Sequence, residues 1–114
     1  MSDILNFPDR VKYRVFRDPV DMRCGFKKLT ERVTKHLGTA PKDEKTLYIF
    51  FNRGVNVSKA IFYAHHARYI IHVQLDTGTF QLPYFDKERN MVDLDPVLAM
   101  ALMDGLKLYT ARNA

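Results

Sequence analysis

Between Lys59 and Phe80 the chain reads KAIFYAHHARYIIHVQLDTGTF. Two runs of β-branched and aromatic residues, Lys59 to His65 and Arg68 to Leu75, stand back to back, and Asp76-Thr77-Gly78-Thr79 turns the chain after the second. A connection this short permits only antiparallel pairing. With the turn at His66-Ala67, Lys59 lies opposite Gln74, Ile61 opposite His72, Tyr63 opposite Ile70 and His65 opposite Arg68. Side chains alternate across a strand. One face of the ribbon therefore collects Lys59, Ile61, Tyr63, His65, Arg68, Ile70, His72 and Gln74, and the other Ala60, Phe62, Ala64, Tyr69, Ile71 and Val73. The second set is apolar and predicts a face covered by helices. The first mixes cations, histidines and a phenol, and predicts the contact face.

The flanking segments supply the rest of a small sheet. Val11, Tyr13 and Val15 alternate with Lys12 and Arg14, the period-two pattern of a half-buried strand, and Asp18-Pro19 ends it. Met22, Phe26, Leu29, Val33 and Leu37 then form one apolar helical stripe, with Asp21 as the cap or Asp18 before Pro19 as an alternative start, Gly38 as the stop and Gly25 inside the helix. A glycine there costs about 1 kcal/mol relative to alanine, and close approach of another backbone would account for it. Arg23, Lys27, Lys28, Arg32 and Lys35 occupy the outer side.

After a polar loop from Thr39 to Lys45, Thr46 to Phe51 is apolar throughout and reads as a central strand, followed by a turn at Asn52-Arg53-Gly54. Phe80-Gln81-Leu82 reads as a last short strand, stopped by Pro83, and Tyr84 to Asn90 as loop. Asp95-Pro96 opens a second helix to about Lys107, with Val97, Leu98, Ala101, Leu102 and Leu106 as its buried side.

The predicted architecture is α+β: an antiparallel β-meander of about five strands with two amphipathic helices packed on one face, in the order β-α-β-β-β-β-α. A chain of 114 residues is expected to be one domain, ordered over 11–108, with fraying at Ala111 to Ala114. No apolar run is long enough for a membrane span, and the first residues lack a secretory pattern, so the expected location is cytoplasmic.

Charge narrows the function. The formal net charge is +5, and it is uneven: residues 1–72 hold fourteen Lys and Arg against seven Asp and Glu, residues 73–114 four against six. A basic excess of this kind favours an acidic partner such as nucleic acid. Cations can hold phosphates while Tyr63 stacks on an exposed base. Arg23 and Arg53 have a structural alternative, pairing with Asp21 or with a carbonyl at the strand end.

Catalytic signals are weak. The single cysteine, Cys24, falls in the predicted helix as a partly buried residue. His65 and His66 are adjacent on a strand, point to opposite faces and chelate poorly together. No nucleophile elbow and no glycine-rich phosphate or dinucleotide loop is present. No catalytic residue, metal or cofactor is expected.

Several segments together resemble the small accessory proteins (the TnpB type) of the insertion-sequence-sixty-six family of bacterial mobile elements. Pro19-Val20-Asp21-Met22-Arg23, Gly25-Phe26 and Leu29 look like that family's opening signature. Phe50 to Arg53 is similar to its aromatic-Asn-Arg strand end, and Lys59, Ile61 and Phe62 to its Lys-hydrophobic run. The pattern continues without a gap through Leu75, Gly78 and Phe80, and Pro83, Leu98, Met103 and Gly105 also fit. The chain departs from it where the family is commonly basic: Gly54, Val55 and Asn56 follow Asn-Arg here, and Val73-Gln74 replaces a basic pair. Tyr63-Ala64 stands where Trp-Asp is frequent, and Ala67 where glycine is.

The resemblance implies a non-enzymatic protein encoded beside a transposase and assisting transposition, DNA being the usual supposed ligand. The expected contact residues are Arg23, Arg53, Lys59, Tyr63 and Arg68, with Lys12 and Arg14 as a second patch. Expected partners are DNA, the transposase of the same element and a second copy of the chain, with no membrane. The alternative is a protein–protein module with Tyr63, Ile61 and Ile70 at its apolar centre. A small hydrolase using His65 is a third reading.

Overall fold

The computed structural model describes residues 11–38, 46–64 and 67–103. The polar loop at Thr39 to Lys45, the histidines at 65 and 66, the helix beyond Met103 and the terminal fraying fall outside the described residues. The elements run β1 (Lys12–Phe16), α1 (Phe26–Leu37), β2 (Thr46–Phe51), β3 (Val57–Ala64), β4 (Ala67–Gln74), β5 (Met91–Leu94) and α2 (Pro96–Met103). This is the expected α+β order. Among the described residues no helix is long and apolar enough to cross a membrane.

The five strands form one sheet in the order β4-β3-β2-β1-β5. β2, β3 and β4 are the predicted meander, but β1 pairs with β2 in parallel, with α1 in the crossover between them. A parallel pair needs such a crossover. All six residues of β2 are buried, as its unbroken apolar run requires.

The fifth strand is Met91–Leu94, not Phe80 to Leu82; it closes antiparallel on β1 from Tyr13↔Leu94 to Phe16↔Met91. Phe80 is instead a buried plug. Its N–H donates to the Val55 carbonyl (2.8 Å) and its ring packs 5.2 Å from Phe51. Burial of that one ring, rather than a ladder, explains its apolar character.

The hairpin pairs Lys59 with His72, Ile61 with Ile70 and Tyr63 with Arg68. Each partner is displaced by two residues from the sequence expectation. A displacement of two conserves side-chain facing, because the strand repeat is two. The division of the ribbon into two faces therefore stands while every predicted pair changes.

The helices do not share a face. Leu29 and Val33 of α1 pack with Phe16, Val20, Tyr48, Phe50 and Ile61. Ala99 and Leu102 of α2 pack on the opposite side with Tyr13, Val15, Leu47, Ile49, Phe51, Ala60 and Phe62. The mixed face of the hairpin is thus the one α1 crosses, and Ile61 is wholly buried there.

α1 starts later than its stripe suggests. Gly25 is the N-cap rather than an interior residue, and a Cβ added to it would meet nothing within 4 Å, so no backbone approach requires the glycine. Asp21 organises the preceding turn: its Oδ1 accepts the Arg23 N–H (2.8 Å) and its carbonyl accepts the Cys24 N–H (2.9 Å). Cys24 accordingly lies before the helix. Gly38 ends α1 at φ 81, the left-handed stop the sequence predicts.

Asp95 caps α2 through the Val97 N–H (2.7 Å). That cap sets the helix phase so that Ala99 and Leu102 face the sheet, leaving Val97 76% and Leu98 38% exposed, contrary to the buried side expected of them.

Candidate nucleic-acid interface

α1 carries Leu29 and Val33 inward, so Lys27, Lys28, Arg32 and Lys35 are driven outward by helical spacing, and all four are exposed. Among the described residues none of them is in an ion pair; the three pairs present are Arg14–Asp93, Arg17–Asp18 and Arg23–Asp21. Glu31 is the one acid of the helix. Lysines in the first turn oppose the helix dipole, and the first turn holds no acid to offset Lys27 and Lys28. The outer side of α1 is therefore a cationic ridge roughly 18 Å long. Its residues are legible in the sequence as an outer helix face, but helical spacing alone does not separate a binding ridge from a solvated one.

The expected site residues divide into three groups. Tyr63 and Arg68 form a cross-strand pair beside the start of α1. The Phe26 ring meets Tyr63 edge-on at 4.9 Å, and the Arg68 guanidinium lies 5.6 Å from the Phe26 centroid. These residues, with Lys27, Thr30 and Glu31, line a groove of about 390 Å³ between α1 and the hairpin. Arg68 is exposed, and Tyr63 and Phe26 are half-buried.

Lys59 shares their sheet face but is held inward. Its Nζ donates to the Cys24 carbonyl (3.0 Å) just before α1. Arg23 and Arg53 flank the far end of β2, where the Val20 N–H donates to the Phe51 carbonyl (2.9 Å). Arg53 is exposed. Arg23 is 92% exposed and grips Asp21, Nη2 to Oδ2 at 2.7 Å. The hydrogen bonds from that guanidinium, and then the one from the Arg23 backbone N–H, lower the Asp21 pKa to about 2, and the carboxylate raises that of Arg23.

Lys12 and Arg14 stand on β1, three strands from Arg68, roughly 14 Å away at the usual strand spacing. Lys12 is exposed, whereas Arg14 is drawn to Asp93 at 3.0 Å. The expected residues are therefore spread along the border of α1 rather than gathered on a bare sheet face, and the ridge of α1 lies between them.

The C-terminal end of α1 borders a second recess of about 320 Å³ formed by His36, Arg89, Asn90 and Met91. Asn90 Oδ1 accepts the Asp18 N–H (2.9 Å), which fixes its amide so that Nδ2 faces His36 Nε2 (2.7 Å). The ring nitrogen is then the acceptor, placing the imidazole proton on Nδ1. Among the described residues no three His, Cys, Asp or Glu side chains gather as a metal site.

A sheet sealed on one side by a helix that turns outward a row of cations, unpaired among the described residues, defines a small α+β protein built around an exposed basic surface. Residues 11–113 match the IS66 Orf2 like protein family (TnpB_IS66), and the chain belongs to that family. Its members are accessory proteins of an insertion sequence. No curated protein and no solved structure gives a match.

Proposed function

We propose that this protein assists transposition by binding DNA through the outer side of α1, with Arg68 and Tyr63 at one end of the contact and Arg23, Arg53, Lys12 and Arg14 around its margin. The observation that carries this reading is the row Lys27, Lys28, Arg32 and Lys35: exposed and without carboxylate partners among the described residues. Phosphate binding by such a row releases counterions, so affinity falls with salt by about 0.9 log units per log unit for each phosphate neutralised. Three or four contacts therefore imply a slope of about −3 to −4. Titrating labelled duplex DNA by fluorescence anisotropy at several salt concentrations tests this. A steep slope that flattens in the Lys28→Gln, Lys35→Gln double variant supports it; absence of binding at low salt removes it.

The second reading, docking on the transposase, is favoured by α2. Its residues Val97 and Leu98 are exposed apolar side chains on a helix whose other side is already packed. The apolar centre first expected for such a module does not serve, since Ile61 is buried beneath α1. Co-purification with the transposase that is lost on Val97→Asp, with the salt slope intact, would favour this reading.

A further inference from the structure

We infer that the groove between α1 and the β3–β4 ribbon receives an unpaired nucleobase, so that the preferred ligand of the basic surface is single-stranded rather than duplex DNA. The inference rests on the DNA-binding reading above and specifies its ligand. Three features of the groove carry it. Its walls are aromatic: Phe26 and Tyr63 meet edge-on at 4.9 Å, so both rings are fixed while remaining partly open to solvent. Its lining is cationic on balance, with the exposed side chains of Arg68 and Lys27 against the single acid Glu31. It is also continuous with the ridge of α1, because Lys27 belongs to both.

A base inside a duplex has its faces occupied by neighbours and cannot enter such a groove; an unstacked base offers a π-face to a ring and to a guanidinium. The groove, at about 390 Å³, has the size of a small-ligand site. Phosphates on either side of the captured base would lie along Lys28, Arg32 and Lys35. Arg68 already lies 5.6 Å from the Phe26 centroid, so the groove is preassembled.

The test compares three labelled ligands of equal length at one ionic strength: oligothymidine, a duplex, and a single strand of abasic sites. Oligothymidine should bind about tenfold more tightly than either of the others, the order expected for one stacked base. Tyr63→Leu should remove that advantage, bringing oligothymidine to the affinity of the abasic strand, whereas Tyr63→Phe, which keeps the ring, should retain it. Arg68→Gln, an exposed substitution, should narrow the ratio of oligothymidine to abasic-strand affinity if Tyr63→Leu fails to fold. Equal affinity for oligothymidine and the abasic strand, or an advantage that survives both substitutions, overturns the inference while DNA binding stands. Failure to bind all three overturns both.

Discussion

The two faces of one sheet are closed by helices of opposite character. α2 is apolar around its whole circumference, and the sheet face beneath it is apolar at Tyr13, Val15, Leu47, Ile49, Phe51, Ala60 and Phe62, with the small polar Ser58 among them. α1 is sharply two-sided, and the face beneath it grades from aromatic at Phe16, Tyr48 and Phe50 to polar at Lys59, Tyr63 and Arg68. The first arrangement maximises burial and leaves apolar side chains over. The second uses a few buried anchors, Leu29 and Val33, to hold a charged helix against a sheet. The lesson is that a mixed-polarity strand face does not have to be an open one. It can be the bed of an amphipathic helix, and the charges it carries then emerge around the border.

The largest test of that contrast is to loosen each helix separately. Leu29→Ala and Leu102→Ala each remove a fully buried side chain and should cost about 2–5 kcal/mol in urea unfolding. Under conditions where both variants stay folded, only Leu29→Ala should also weaken DNA binding, because it displaces the cationic ridge. Equal binding loss in both would erase the functional distinction between the faces.

Neighbouring residues of β3 sharpen the comparison. Lys59, on the α1 side, has its ammonium bonded to a carbonyl, and Lys59→Met should cost about 1.5 kcal/mol by leaving that acceptor without its charged donor. Ser58, on the α2 side, is wholly buried, and its hydroxyl has no partner among the described residues. Ser58→Ala should therefore raise stability by about 1 kcal/mol. Urea midpoints of the two variants should move in opposite directions.

The smallest effect lies at the entrance to α1. The folded-state pKa of Asp21, about 2, is below the ordinary carboxylate value, so its contribution is fully present above about pH 4 and is lost as pH falls toward 2. Asp21→Asn should flatten that part of the stability–pH profile. An unchanged profile would mean that the Asp21–Arg23 pair does not form in solution.

Periodicity made the elements legible, but not which side of the sheet each helix would cover. The stripe through Leu29 and Val33 and the alternation of β4 identify faces of single elements, since those patterns repeat locally. Which two faces meet is decided by the parallel β1–β2 pairing, and nothing local to either strand encodes it. Met91–Leu94 is not legible as a strand because its four residues are too few to establish a period, while Phe80 and Leu82 mimic one. The candidate site was legible in residue types and not in assembly: Tyr63 and Arg68 are cross-strand partners, but their ring partner Phe26 arrives from a helix 37 residues earlier than Tyr63.

Strand β1 lies between a neighbour reached through α1 and another whose Asp93 is 79 residues from Arg14. During synthesis β2, β3 and β4 can pair as soon as they leave the ribosome, but one edge of β1 stays open until β5 emerges after them. A chain stalled before Met91 would present that edge to any extended peptide nearby. The four residues of β5 thus decide whether the nascent sheet closes on itself or seeks another strand.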